Sequence, residues 1–182
     1  AEMAESEPAD ADEPLNPESI LVAVDALQPA DDGDLSLTDS FRSAWDEEIA
    51  DVKATADRED EIRAVIGIED SDVSFESHNE AYKILVDGNL VGLLESEAAL
   101  YADLAAARLL MDRYEAWDDL SIADRSRLLK GLRLFLETCP DCGNDVTFDT
   151  EEVESCCGSY PVAAVDCGEC GSRLFESAPL EQ

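Results

Sequence analysis

Four of the six cysteines fall in two short motifs, Cys139-Pro-Asp-Cys142-Gly and Cys167-Gly-Glu-Cys170-Gly, with 24 residues between them. No other feature constrains the fold of the chain as tightly. Two residues between a pair of thiolates let one tight turn aim both sulfurs at a single ion. The glycine after each pair permits a positive φ, which frees backbone N–H groups to face sulfur. Two such turns complete a closed tetrahedral site, so Cys139, Cys142, Cys167 and Cys170 are the expected ligands of a structural zinc ion. Iron is the alternative metal, because four thiolates also suit it. Two disulfides, or free buried thiols, are the readings without a metal, and a reducing compartment disfavours the first.

The segment between the motifs alternates as a hairpin does, with Val146-Thr-Phe148 on one side and Tyr160–Val165 on the other. Arg173-Leu174-Phe175 can add a third strand. Residues 139–182 thus resemble the zinc-ribbon, or rubredoxin-knuckle, class seen in RNA polymerase subunits, transcription factors and ribosomal proteins. The resemblance implies the ligand role for the four cysteines. It does not carry over nucleic-acid binding, because Arg173 is the only basic residue of this segment. The whole chain also resembles an uncharacterised group of haloarchaeal proteins with a C-terminal ribbon, which implies a lineage and no activity.

The chain of 182 residues carries 45 Asp and Glu against 12 Lys and Arg, a net charge of −33. Such acidity would accompany disorder if apolar residues were scarce, but they make up 45% and suffice for a core. Only Lys53, Lys83 and Lys130 are lysines. Abundant acid with almost no lysine fits a cytoplasmic protein of a salt-accumulating halophile. At molar salt the Debye length is about 3 Å, so surface carboxylates barely repel one another. A mesophilic acidic protein that binds basic partners is the alternative. No apolar run approaches the roughly 18 residues of a membrane helix, and the acidic first ten residues do not read as a secretory signal.

Residues 1–16 read as a disordered acidic tail. Asn16-Pro17 opens a helix, with Ile20, Leu21, Val24 and Leu27 at helical spacing and a stop before Pro29. A buried strand over 20–24 is the rival. Pro29–Asp34 reads as a loop. Thr38 or Asp39 caps a helix with Phe41, Trp45, Ile49 and Val52 on one stripe. A short helix over about 57–66 ends at Gly67. Val73–Phe75, Tyr82–Val86 and Leu90-Val91 form an antiparallel meander, with Asp87-Gly88 as the second turn. Ser96 caps an alanine-rich helix over about 97–116, and Ser121 caps one over about 122–137. The fold class expected is α+β: a mainly helical domain with a small β-meander over 17–138, followed by the zinc ribbon over 139–182.

The stretch 108–133 escapes the general acidity, with six bases to five acids. Arg127, Lys130 and Arg133 stand at three-residue steps, and Arg108 and Arg113 lie on the preceding helix. Outward and free, they would form a landing strip for RNA, DNA or an acidic partner. Paired with Asp112, Glu115, Asp118, Asp119 and Asp124, they are structural, which is the favoured reading. Cys156-Cys157 offers a thiol redox pair. The plainer expectation is one cysteine packed inward and its neighbour facing out, because no base adjoins them to lower a thiol pKa. Asp149, Glu151, Glu152 and Glu154 are too diffuse for a catalytic metal site, and His78 reads as a surface residue in a turn. With one histidine and no nucleotide-binding or nucleophile motif, the chain is expected to be no enzyme. It reads as an interaction module with an unknown protein partner and no membrane.

Overall fold

The computed structural model describes residues 14–55, 57–68, 70–78 and 81–180. Most of the expected acidic tail lies outside them. Its last residues do not belong to a tail, because Leu15 packs against the core.

Helix α1 (Pro17–Ala23) opens as expected, with Asn16 Oδ1 accepting from Ser19 N at 3.2 Å. It stops well before Pro29. Asp25 takes a left-handed φ of 61° and turns the chain away. The chain then forms a hairpin, β1 (Leu27–Pro29) with β2 (Leu35–Leu37), where sequence spacing suggested more helix and then a loop. Leu27 pairs with Leu37, and both are buried. Thr38 locks the hairpin to α1, since its Oγ1 donates to Asp25 O at 2.7 Å and its N–H to Ala26 O at 3.0 Å.

Helix α2 (Asp39–Ala54) buries Phe41, Trp45, Ile49 and Val52, and Thr38 Oγ1 caps it at Phe41 N. Helix α3 (Arg58–Ile66) buries Ile62 and Val65 and ends on Gly67, whose φ of 82° a side chain would resist. Strands β3 (Val73–His78), β4 (Ala81–Val86) and β5 (Asn89–Leu94) form the meander in that order. Asp87 and Gly88, at φ 50° and 80°, make the two-residue turn.

Helix α4 (Glu97–Arg113) runs through the centre. Ser96 Oγ caps it at Ala99 N, and its residues from Ala98 to Ala107 are all buried. A helix apolar nearly all round is one enclosed by its neighbours. Its alanines let α2 come close enough for Trp45 Nε1 to donate to Ala102 O at 2.9 Å. A 3₁₀ turn (Trp117–Asp119) leads to α5 (Ile122–Arg133), capped by Ser121. This helix ends four residues early. Phe135 N bonds Leu132 O and Leu136 N bonds Arg133 O, three residues back, and the tightened turn delivers Cys139.

The C-terminal part is an antiparallel sheet of β6 (Val146–Ser155), β7 (Gly158–Cys167) and β8 (Arg173–Glu176), in that order. Its small core is Cys139, Val165, Cys167 and Leu174 together with Ala98 of α4. The ribbon is therefore built on the first turn of the central helix. Ser96 Oγ donates to Arg173 O at 2.6 Å across the same junction.

Candidate metal centre

The two cysteine turns are copies of one another. Gly143 N donates to Cys139 O and Gly171 N to Cys167 O, each at 2.9 Å. Cys139 N donates to Asn144 O at 2.7 Å and Cys167 N to Ser172 O at 2.9 Å. The glycines take φ of 76° and 77°, the left-handed geometry that each turn requires. The turns face each other, and the four Sγ atoms all lie within 4.8 Å of one another. Cys139 Sγ is 3.7 Å from Cys170 Sγ, and Cys142 Sγ is 3.4 Å from Cys167 Sγ. A tetrahedron of bonds about 2.3 Å long has edges of about 3.8 Å, so four thiolates here fit a zinc-sized ion. Each turn contributes one buried cysteine, Cys139 or Cys167, and one exposed one, Cys142 or Cys170.

The surroundings favour thiolate at Cys142 and resist it at Cys139 and Cys167. Backbone and side-chain N–H groups of Asn144 hold the Cys142 thiol down at about 6. Burial pushes Cys139 up to about 12, against the N–H groups of Cys142 and Asp141. The Cys170 N–H supports a thiolate at Cys167, but burial and the adjoining thiols raise it on balance. A metal ion held by these four sulfurs would displace protons from the inner pair. Asn144 Nδ2 lies 3.3 Å from Cys142 Sγ, and Ser172 Oγ lies 3.2 Å from Cys170 Sγ. Both stand two residues past the second cysteine of their motif, and sequence reasoning missed them. The repeat itself, Cys-x-x-Cys-Gly with a small polar residue next, was the signal. Lys53 of α2 also reaches the first turn, donating to Asp141 O.

The remaining candidates separate. Arg108 spans Glu48 and Glu61. Arg113 lies over the Phe41 ring at 5.2 Å. Arg127 meets Asp124 at 3.5 Å. Lys130 meets Glu95 at 3.5 Å and lies over Phe175. Arg133 is 2% exposed; it bonds Glu95 and Leu174 O through Nη1, and its Nε is 2.8 Å from Asp103. The bases do not form an open cationic face. Their partners also correct the sequence reading. Only Asp124 was foreseen, and among the described residues no ion pair joins these bases to Asp112, Glu115, Asp118 or Asp119. Glu95 comes instead from just before the Ser96 cap of α4 and Asp103 from within that helix, which packs on α5. Burial opposes the charge of Glu95, yet Arg133 and Lys130 hold its carboxyl below the usual range. Burial pushes Asp103 up to about 6 against the pull of Arg133.

Cys156 and Cys157 do not split between inside and outside. They form the two-residue turn between Ser155 and Gly158, which are paired, so neither can face a core. Both are exposed, with Sγ atoms 3.5 Å apart. The strand arms place them a full ten-residue strand from the four-cysteine cluster. Arg173 is taken up by Asp166, Glu176 and Glu151, and Asp149, Glu152 and Glu154 join no ligand cluster among the described residues. His78 ends β3 opposite Ala81, a position in the sheet rather than in the turn.

The pattern of one family covers nearly all of this architecture. The model of the central domain of a family of unknown function (DUF8054) matches residues 16–134, and the model of its C-terminal domain matches 137–177. The chain belongs to the DUF8054 family. No curated protein and no solved structure matches it. Within this DUF8054 chain the four cysteines of the candidate metal centre all fall in the C-terminal match, and none of the described helices is long and apolar enough to cross a membrane.

Proposed function

We propose that this chain is a non-enzymatic, cytoplasmic interaction module of a halophile, in which one structural zinc ion holds a β-ribbon against a helical domain. The observation that carries the reading is the closed set of four sulfurs at tetrahedral edge distances. A closed thiolate set leaves no open position for a water or substrate, which is the mark of a structural rather than a catalytic site. The partner-facing element of this reading is the β6–β7 hairpin. Among the described residues its outer strand β6 pairs with β7 alone, leaving an edge that carries Asp149, Glu152, Glu154 and Phe148, the last 62% exposed. An open edge with acids on both faces suits a basic, extended protein segment added as a further strand. The net charge of −33 supports the halophile part.

Elemental analysis of the full chain purified at molar KCl tests the metal. One zinc per chain is expected, and chelation is expected to abolish hydrogen-exchange protection in β6–β8 while α2 and α4 keep theirs. A chain without zinc, or with Cys139 joined to Cys142 as a disulfide, refutes the reading. Iron in place of zinc refutes the choice of metal.

A second reading, thiol redox chemistry, has one observation in its favour, the exposed pair Cys156 and Cys157 at 3.5 Å. Trapping with oxidised glutathione, with mass spectrometry of the products, tests it. A disulfide confined to this turn and reversed by reduced glutathione supports it, and no reaction refutes it.

A further inference from the structure

A cavity of about 520 Å³ lies between the β3–β5 sheet and helices α3, α4 and α5. Its walls include Val65, Ile84, Leu94, Leu100, Leu104 and Leu129. Protein interiors leave few voids larger than a water molecule, whereas small-molecule sites run from roughly 300 to 1,000 Å³. The cavity is thus of ligand size and apolar nearly throughout. Leu93 and Ile122, 62% and 41% exposed, also line it, so it reaches the surface through apolar side chains.

The charges in its wall reverse the balance of the chain. Across the sequence acids outnumber bases 45 to 12, yet the charged residues lining the cavity are two cations, Lys130 and Arg133, and one acid, Asp103. Arg133 is 2% exposed and is held in place by Glu95, Asp103 and Leu174 O through Nη1 and Nε. Its Nη2 makes no hydrogen bond to another described residue, while Nε faces Asp103. Lys130, less buried, has its ammonium 3.5 Å from Glu95 and within reach of the same wall. Asp103 faces Arg133, Glu95 and Lys130, and burial pushes its carboxyl up to about 6 against the pull of Arg133.

We infer that this cavity binds an aliphatic carboxylate, its chain among the leucines and isoleucines between sheet and helices and its carboxylate on Arg133 Nη2 and Lys130. A guanidinium and an ammonium converging at one end of an apolar chamber match a single anionic head on an apolar tail. A cationic amphiphile of the same length finds no free acceptor there, because Glu95 and Asp103 are already paired with these cations. The site is separate from the four cysteines, and its occupancy does not depend on the nature of the metal.

Isothermal titration of the zinc-loaded full chain in molar KCl tests the inference, with decanoate, octanoate and decylammonium each kept below its micelle-forming concentration. Decanoate is expected to bind at one per chain. Octanoate, shorter by two methylenes, is expected to bind about fifteen-fold more weakly, since each buried methylene changes affinity about fourfold. Decylammonium is expected to bind at least tenfold more weakly than decanoate. Ser126→Trp places an indole at an exposed position of the cavity wall, and is expected to abolish decanoate binding with the melting temperature unchanged. Lys130→Met is expected to weaken it several-fold. Absence of saturable decanoate binding overturns the inference. So does equal affinity for decylammonium, or binding that survives Ser126→Trp.

Discussion

Replacing Arg133 by methionine tests how the ribbon is tied to the helical domain. Methionine keeps the apolar stem and removes the guanidinium. The lost contacts are the bonds to Glu95 and to Leu174 O at 2.6 Å, and the ion pair with Asp103 at 2.8 Å. Glu95 and Asp103 have side chains only 13% and 11% exposed, so water cannot replace the cation. Breaking a buried pair by removing one partner costs about 3–5 kcal/mol, against less than about 1 kcal/mol for an exposed pair. The loss is expected at about 4 kcal/mol near neutral pH and is expected to shrink on acidification. Both acids set that sign. Asp103 titrates at about 6 in the folded chain, above its ordinary 3.8, so its contribution is full below 3.8 and lost as pH rises through 6. Without Arg133 that value climbs further, which deepens the deficit at high pH. Glu95 is held below its ordinary 4.5 by Arg133, and this stabilisation, present above 4.5, is the part the variant forfeits. Urea unfolding of the zinc-loaded chain in molar KCl between pH 6 and 8, monitored by helical circular dichroism, measures both quantities. Adding Asp103→Asn is expected to recover at least about 1 kcal/mol as a coupling energy. A deficit below about 1 kcal/mol, or one that does not vary with pH, refutes the buried-network account.

Three further outcomes are expected. Cys142→Ser retains the knuckle backbone but lowers zinc content below one per chain, as elemental analysis will show, because a hydroxyl is a poor substitute for the thiolate that Asn144 stabilises. The melting temperature rises between low and molar KCl as repulsion within a chain of net charge −33 is screened, and a flat profile contradicts the halophile surface. The double change Cys156→Ala with Cys157→Ala leaves zinc content unchanged and stability, read from the melting temperature, within about 0.5 kcal/mol, since both side chains are exposed at the hairpin tip.

What the sequence determined by itself is what near neighbours decide. The helix starts at Asn16, Thr38, Ser96 and Ser121 are side-chain-to-backbone bonds closed within three residues, so local order reveals them. The stripe of Phe41, Trp45, Ile49 and Val52, the Asp87-Gly88 turn and the paired cysteine turns are equally local. The four cysteines were legible because a Cys-x-x-Cys-Gly turn states its own geometry, and only the meeting of the two turns required the fold.

The rest depended on which faces meet. Leu27 fits the periodicity of α1, but pairing with Leu37 across a hairpin buries it better than one more helical turn. The helix α5 pattern continues to Leu136, yet the chain must turn to bring Cys139 to Ala98, and the last residues tighten to do so. Sequence neighbours suggested Asp118 and Asp119 for the bases of α5. The structure supplied Glu95 and Asp103, because a cation on a packed helix takes the acids of the facing helix and of the segment leading into it. Cys156 and Cys157 turned on register alone: pairing Ser155 with Gly158 makes them the turn and leaves neither for the core. The cavity above Arg133 belongs to no single segment, since its walls come from three helices and a sheet whose spacing only the folded chain sets.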